Sequence, residues 1–457
     1  MTRPFDRANA HALAALVEAS RSRDIAACED IVDEHGTKLW ARGQPIRPEL
    51  MERLLERTLR RPIEQCLSAR DGIAAPDVTR CMTRLLDGDR YLVALAGGGA
   101  RHVMDTVRTL QLDGPVSLLL TAAAEGGQGF DHACLGALIA GGLAARAGVG
   151  DATLQRVVLG SLLHDVGEMY VNPDYLRSRR ELTLDEWRNV AVHPRIGALF
   201  VRENTRYGAT IAAIVDGHHE RLDGSGYPTR ATADTLREET GWVIVAETLA
   251  GVMGDPVAVP ARTLLAIGLV FGEYPLAPVG LVANAQRAFP IEPDRAFDPD
   301  AARAEIDALR AALGTAHAAA REAEGRSSAG SAERRSLTRL APLLRRLDVA
   351  FVSSGAAHFY ELLGAAAETG DGEVELQLRL VPRELRWRMR SLARDLTHDL
   401  ETFGDEGRRV FAPLLEALRA APAAARPAPA AAAPEVSLDI PAGPEAADAA
   451  PRSASVA

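Results

Sequence analysis

With 457 residues, 47% of them hydrophobic, the chain is long enough for more than one packed core, and about two to four domains are expected. Only 5% of residues are aromatic while alanine abounds, which favours packed helices over a β-sandwich and predicts a mainly α fold. The formal net charge of -10 excludes a general attraction to nucleic-acid polymers or anionic membranes, but a local metal cluster could still hold a small phosphorylated ligand.

The opening MTRPFDRANAHALAAL lacks the basic, apolar and cleavage regions of a signal peptide. In DIAACEDIVDEHGTKLWARGQPI (24–46) two short apolar runs flank an EHG turn signal, which predicts a small hairpin. PELMERLLERTLRRPIEQCL (48–67) has helical spacing, with a proline at its start where one is tolerated. The glycine run at 97–99 lacks P-loop or dinucleotide-binding spacing and reads as a turn. These segments make residues 1–115 a small α+β N-terminal module.

Residues 116–300 read as helix after helix. The apolar stretches are ACLGALIAGGLAARAG (133–148), VVLGSLLHD (157–165), RYGATIAAIVDGHHE (206–220) and WVIVAETLAGVM (242–253). LTLDEWRNVAVH (182–193) opens with Thr183 and carries Glu186 three residues on, the signature of a capping box. From 301 to 420 a helical C-terminal region follows, with GRSSAGSAE (325–333) as a flexible linker and EVELQLRLV (373–381) as an extended stretch. The Ala/Pro-rich tail, 421–457, has too few large apolar residues to offset its ordering entropy and is expected to be disordered. No run reaches the roughly 20 apolar residues that a membrane span needs. The four cysteines Cys28, Cys66, Cys81 and Cys134 form no CxxC pair, which suits a reducing, cytoplasmic location.

The chemistry concentrates in the middle region, which holds five of the eleven histidines: His132, His164, His193, His218 and His219. A lone histidine is more often a satisfied core or surface residue. Here two adjacent polar pairs, His164-Asp165 and His218-His219, each end an apolar helix, and neighbouring helical residues diverge too far for one apolar face to bury both. A metal pair bridged by the Asp165 carboxylate would satisfy them, and Glu247 is weighed alongside them. Imidazole and carboxylate donors suit iron, manganese or zinc rather than calcium.

LLHDVGEMYVNPDYL, LTLDEWRNVAVHPRIGALFV and HHERLDGSGYP together resemble the HD-GYP family, helical metal-dependent phosphohydrolases, over about residues 120–255; the signal at 36–67 more loosely resembles a module that often precedes such domains. The resemblance implies an HD-type helical bundle at 116–300. It also implies hydrolysis of cyclic di-GMP, a bacterial second messenger, by metal-activated hydroxide, yielding a linear dinucleotide or GMP. His132, His164, Asp165 and Glu247 would hold one metal. Asp165 would bridge to a second, held by His193, His218 and His219, and both ions would be iron or manganese. The signature loop, Asp223, Gly224, Gly226, Tyr227 and Pro228, would touch substrate or a protein partner, as could the C-terminal helices. Asp165 and Glu168 are the candidate catalytic residues.

The chain departs from the family at several places. Glu168 replaces a lysine that should meet phosphate, and Glu247 replaces an aspartate. The phosphate-binding arginine stretch is not visible in GVMGDPVAVP, and Gln128 stands where a three-metal variant has glutamate, which implies two metals. A regulatory module that keeps the fold and binds nucleotide or a partner without turnover is the alternative. For Glu168, turning outward to pair with Arg177 or Arg179 is the competing local reading.

Overall fold

The structure, a computed structural model, describes residues 5–127, 129–178, 180–253, 260–290, 297–358 and 372–420. Gln128, Arg179, most of GVMGDPVAVP and the Ala/Pro tail lie outside the described residues.

Helix α1 (Ala10–Ala19) buries Leu13, Leu16 and Val17, and the Asn9 side chain accepts from two of its unpaired first-turn amides. Four short strands follow: β1 (Ile25–Ala27), β2 (Ile31–Val32), β3 (Lys38–Trp40) and, further on, β4 (Leu67–Ala69). The hairpin expected over 24–46 forms, its two ends joined by the Ile46 amide donating to the Ile25 carbonyl. Within it β2 and β3 pair and Ala26 forms an antiparallel bridge with Pro45, while β1 also pairs antiparallel with β4. The helix expected over 48–67 is broken into α2 (Pro48–Leu54) and α3 (Ile63–Cys66). Pro62 explains the break, because it has no amide to donate and forces the residue before it out of helical geometry.

The next helices are α4 (Ala75–Gly88), α5 (Arg90–Ala96), α6 (Gly99–Thr109), α7 (Gly114–Glu125), α8 (Gly129–Arg146) and α9 (Asp151–Leu162). The glycine run at 97–99 is the turn between α5 and α6, with Gly97 at a φ of 51°. A single-turn 3-10 helix (Val166–Tyr170) leads to α10 (Pro173–Leu176), α11 (Leu184–Ala191), α12 (His193–Asn204), α13 (Gly208–Gly217), α14 (Glu238–Met253), α15 (Pro260–Gly268) and α16 (Leu276–Gln286). At α11 the Thr183 hydroxyl accepts from the Glu186 amide and the Glu186 carboxylate accepts from the Thr183 amide, closing the capping box. One apolar core, with members from Leu13 through Leu138, Val158 and Ile214 to Val282, joins most of these helices, α10 and α11 excepted, and does not break near residue 115.

A second core belongs to α17 (Pro299–Arg326), α18 (Ala332–Ser353), α19 (Gly372–Asp399) and α20 (Asp405–Arg419), with Val270 at its edge. Two expectations fail here. GRSSAGSAE is a tight turn rather than a loose linker, and Ser331 caps α18 by accepting from the Arg334 amide. EVELQLRLV is helical, part of α19. Its alternation of polar and apolar residues imitates a strand because the helix buries two faces. Leu378, Val381, Leu385 and Met389 face the second core, whereas Leu376 and Leu380 pack against Ala261. None of the helices among the described residues is long and apolar enough to cross a membrane.

Candidate metal centre

Three histidines stand at helix ends, where the last carbonyls have no intrahelical partner. His164 follows α9, His193 opens α12 just past the end of α11, and His218 caps α13. Each places Nδ1 against the carbonyl three residues back: His164 on Ser161 at 2.6 Å, His193 on Val190 at 2.9 Å and His218 on Val215 at 2.7 Å. A carbonyl can only accept, so each Nδ1 carries the proton and each Nε2 turns a bare lone pair inward. The helices thus spend otherwise idle carbonyls on fixing tautomer and ring orientation, the usual outer-shell support of a metal-ligating imidazole.

The inward atoms meet around Asp165. Its Oδ2 lies 3.1 Å from His164 Nε2 and 3.4 Å from His132 Nε2. Its Oδ1 lies 3.4 Å from both His193 Nε2 and His218 Nε2. Glu247, from α14, brings Oε2 to 2.9 Å from His132 Nε2 and 3.1 Å from His164 Nε2. Two donor groups result, His132, His164, Asp165 and Glu247 in one, and Asp165, His193, His218 and His219 in the other, with the ligand atoms of each within 4.8 Å of one another. His193 and His218 face each other Nε2 to Nε2 at 3.1 Å. Two lone pairs do not attract, so the donor set as it stands calls for a cation between them, and its chemistry fits a divalent metal.

Backbone proximity makes this convergence possible. A Cβ on Gly167 would lie 2.0 Å from the His193 carbonyl oxygen and 2.7 Å from the Gly197 amide nitrogen, so only glycine lets the 3-10 turn after Asp165 seat on the start of α12. Burial opposes charge on every group, and neighbours decide the outcome. His132 is penalised by burial but drawn up to about 8 by the Glu247 carboxylate. Burial would raise Asp165, yet His164 and the other imidazoles hold it well below the usual carboxylate range. Glu247 is held low in the same way by His132 and His164. His219 is pushed well down by burial and by the neighbouring His218.

Glu168 does not turn out toward Arg177. It lies inward, where burial first and the Asp165 charge second push its carboxyl up to about 7, and His193 and His132 pull the other way. Among the described residues it makes no ion pair.

The signature loop leaves the centre at His219, on whose ring Tyr227 stacks at 4.6 Å and 23°. Tyr227 also meets the Trp187 ring of α11 edge-on at 5.1 Å. The Tyr227–Pro228 peptide is cis. Asp223 does not point to the donor groups. Its Oδ1 accepts from the Ser225 amide and hydroxyl, and its Oδ2 lies 3.1 Å from Arg346 of α18. Gly224 takes a φ of 78°, and Gly226 presses on the backbone of Glu220 and Arg221, which a Cβ would approach to 2.4 Å. Asp223, Gly224 and Gly226 therefore shape the loop, and Tyr227 is its member nearest the histidines.

Sequence reasoning missed the residues that hold this loop. Buried Glu220 accepts from the amides of Thr229 and Ala231 and the Thr229 hydroxyl. Glu273 pairs with Arg388 of α19 at 2.8 Å and accepts at its carbonyl from the Leu222 amide. Glu220 could have been suspected from its place beside the histidine pair. Nothing local marks Glu273 or Arg388.

Residues 129–249 match the HD domain family. Over 110 residues, 24% of this chain and 29% of the relative, the chain is 33% identical to the cyclic di-GMP phosphodiesterase response regulator RpfG of Xanthomonas campestris. Over 78 residues, 17% of this chain and 19% of the relative, it is 36% identical to a cyclic di-GMP phosphodiesterase of Pseudomonas aeruginosa. It thus spans less than a third of the length of these curated relatives. An HD-GYP-type protein from Bdellovibrio bacteriovorus is similar at a TM-score of 0.34 and 14% identity, over 58% of this chain and 96% of that one. The class is the HD domain. That match covers residues 129–249, and the two curated proteins above, to which the chain is similar, are cyclic di-GMP phosphodiesterases.

Proposed function

We propose that this protein is a metal-dependent phosphodiesterase that opens cyclic di-GMP to the linear dinucleotide or to GMP. The observation that carries the reading is the division of Asp165 between its two donor groups, one carboxylate oxygen to each. A carboxylate so placed could serve two divalent ions, and the chain is similar to relatives named for this activity. His132, His164, Asp165 and Glu247 would hold one ion and Asp165, His193, His218 and His219 the other; such donors suit iron, manganese or zinc, and the resemblance to the HD-GYP family favours iron or manganese. Bound there, the ions would supply a nucleophilic hydroxide near neutral pH and neutralise charge on the phosphoryl oxygens.

The chain's own work is positional. The three carbonyl-anchored imidazoles keep their lone pairs aimed without a further reorganisation cost. Tyr227 covers His219 and closes one side of the site to water. The free cysteines among the described residues fit action in a reducing cytoplasm. One observation favours the second reading, a module that binds nucleotide without turning it over: Glu168 faces into the centre where an anionic phosphodiester would arrive.

The test is metal analysis of the purified full-length protein beside a chromatographic assay of cyclic di-GMP hydrolysis. The reading expects about two iron or manganese ions per chain and a linear product. Metal-loaded protein that binds cyclic di-GMP and returns it intact would establish the regulatory alternative instead.

A further inference from the structure

The signature loop carries opposite charges at its two ends, and the C-terminal region meets both. At its start, the buried Asp223 carboxylate lies 3.1 Å from Arg346 of α18. Just past Pro228, Arg230 lies 3.6 Å from Asp395 and 3.7 Å from Asp399 of α19. Those two carboxylates are themselves fixed. Each turns Oδ1 to Arg230 and Oδ2 to Arg339 of α18, and the Ser336 hydroxyl donates to Asp399 as well. Helices α18 and α19 thus present one cation and two carboxylates to the loop, tied to each other by Arg339.

The backbone at Arg230 is unusual. Among the described residues only Phe5 and Arg230 combine a side chain with a positive φ, 59° at Arg230, a region disfavoured for any residue with a Cβ. The flanking amides account for the conformation. Those of Thr229 and Ala231 both donate to the buried Glu220 carboxylate, at 2.7 and 2.9 Å, which turns the residue between them left-handed. Glycine or asparagine would sit there with less strain. What arginine adds at this position is reach, since its head spans the gap to α19.

Tyr227 lies between the two anchors, stacked on His219 and donating its amide to the His219 carbonyl. Asp223 and Thr232 close the base of the loop through an antiparallel bridge. Helix α19 also reaches α11 in this neighbourhood, where the Arg394 guanidinium lies 4.2 Å from the centre of the Trp187 ring and Trp187 meets Tyr227. Tethers of opposite sign at the two ends allow one docked arrangement, because the reverse would set like charges together.

We infer that Arg230 and Arg346 are positioning residues, through which the C-terminal helices hold both ends of the signature loop and so set Tyr227 over His219. Where catalysis is concerned, this rests on the phosphodiesterase reading above. It gives the C-terminal region a means of acting on the site without contributing a metal ligand.

The test uses the full-length protein and its Arg230→Asn, Arg346→Gln, Arg230→Lys and Arg346→Lys variants. Asparagine accepts the left-handed conformation and lacks the charge, so it removes the ion pairs without straining the turn. Both arginines are partly exposed, and each variant should fold. Hydrogen exchange followed by mass spectrometry reads the amides of 222–233, and kinetics with cyclic di-GMP reads the site. Exchange across the loop should speed up about threefold to tenfold in Arg230→Asn and Arg346→Gln, with metal content and the exchange of α8 and α9 unchanged. KM should rise by a similar factor with kcat less affected, and the lysine variants should recover much of both. Loop exchange at the wild-type rate in Arg230→Asn and Arg346→Gln would overturn the inference. Faster exchange with KM unchanged would overturn the link to the site. Failure of lysine to restore either quantity would assign the effect to packing and not to charge, and would overturn it too. If the wild type does not hydrolyse cyclic di-GMP, the phosphodiesterase reading falls, and the exchange measurements still decide whether the C-terminal helices hold the loop.

Discussion

At the metal centre each helix-end histidine is fixed by a carbonyl three residues back; at the clasp over the signature loop, Arg388 reaches Glu273 across 115 residues and Arg188 reaches Glu401 across 213. The first arrangement is a set of local rules repeated three times. The second exists only once two separately cored regions have docked. The centre should therefore survive insults that remove the clasp, while the clasp can change substrate handling without touching a ligand. Each prediction below would break or sharpen that contrast.

The largest effect is expected at Asp165. Asp165→Ala removes the carboxylate shared by both donor groups, so metal content should fall to background and hydrolysis with it. Two ions retained in the purified variant would remove the bridging role.

Cutting the chain separates the two regions directly. A chain ending at 298 keeps every buried residue of the first core and uncovers Val270, the edge of the second, and should fold and bind metal. A piece of 116–300 discards Leu13, Leu16, Leu50 and Val103 from that core and should not fold. Circular dichroism and metal analysis of both pieces check this. Loss of metal from a folded 1–298 would show that the centre depends on the C-terminal helices. Among the described residues neither donor group draws on 1–115 or 301–420.

At the clasp, Arg388→Ala leaves Glu273 buried at 3% exposure without its closest cation. Breaking a buried pair from one side costs about 3–5 kcal/mol, so chemical denaturation should show a loss on that order. The metal content of the folded protein should not change. If it did, the loop's long-range anchor would be part of the centre after all.

Glu168→Gln tests the inward carboxyl. At pH 8, above the carboxyl's raised value of about 7, removing its charge near the arriving phosphate should tighten cyclic di-GMP binding by up to about tenfold, given roughly 4 kcal/mol between unit charges 4 Å apart at an effective dielectric of 20, discounted for screening. Unchanged or weaker affinity at fixed salt, with metal intact, would mean that Glu168 is tolerated or useful there.

The same contrast explains what was legible. The donor residues could be read because chemistry and helix endings coincide in sequence: His164-Asp165 and His218-His219 both terminate apolar runs. The capping box at Thr183 was legible for the same reason. The orientation of Glu168 was not, since it depends on Gly167 seating against α12. Nor was the helical state of 373–381, because a helix buried on two faces shows the alternation of a strand. The clasp was invisible, as no local pattern ties Arg388 to Glu273 or Arg394 to Trp187.

The smallest expected effect lies at the start of α11, the helix that carries Trp187 to the loop. Glu186 accepts from the Thr183 amide and pairs with Arg180, and that pairing first and the amide second hold its carboxyl down to about 2. A carboxyl depressed in the folded state contributes stability that is present above its unfolded value, near 4.5, and is lost as pH falls through about 2. Glu186→Gln keeps the size and an acceptor oxygen but not the charge. Its melting temperature should sit slightly below that of the wild type at pH 6 to 8, and the gap should close as pH falls through the interval between 4.5 and 2. The group is at the surface and open to salt, so raising ionic strength at pH 7 should shrink the difference as well. Because α11 positions Trp187, the variant should also loosen Tyr227 slightly, seen as a modest rise in KM for cyclic di-GMP with metal content unchanged. A gap that persisted at pH 2 would assign the loss to the cap's hydrogen-bond geometry and not to its charge.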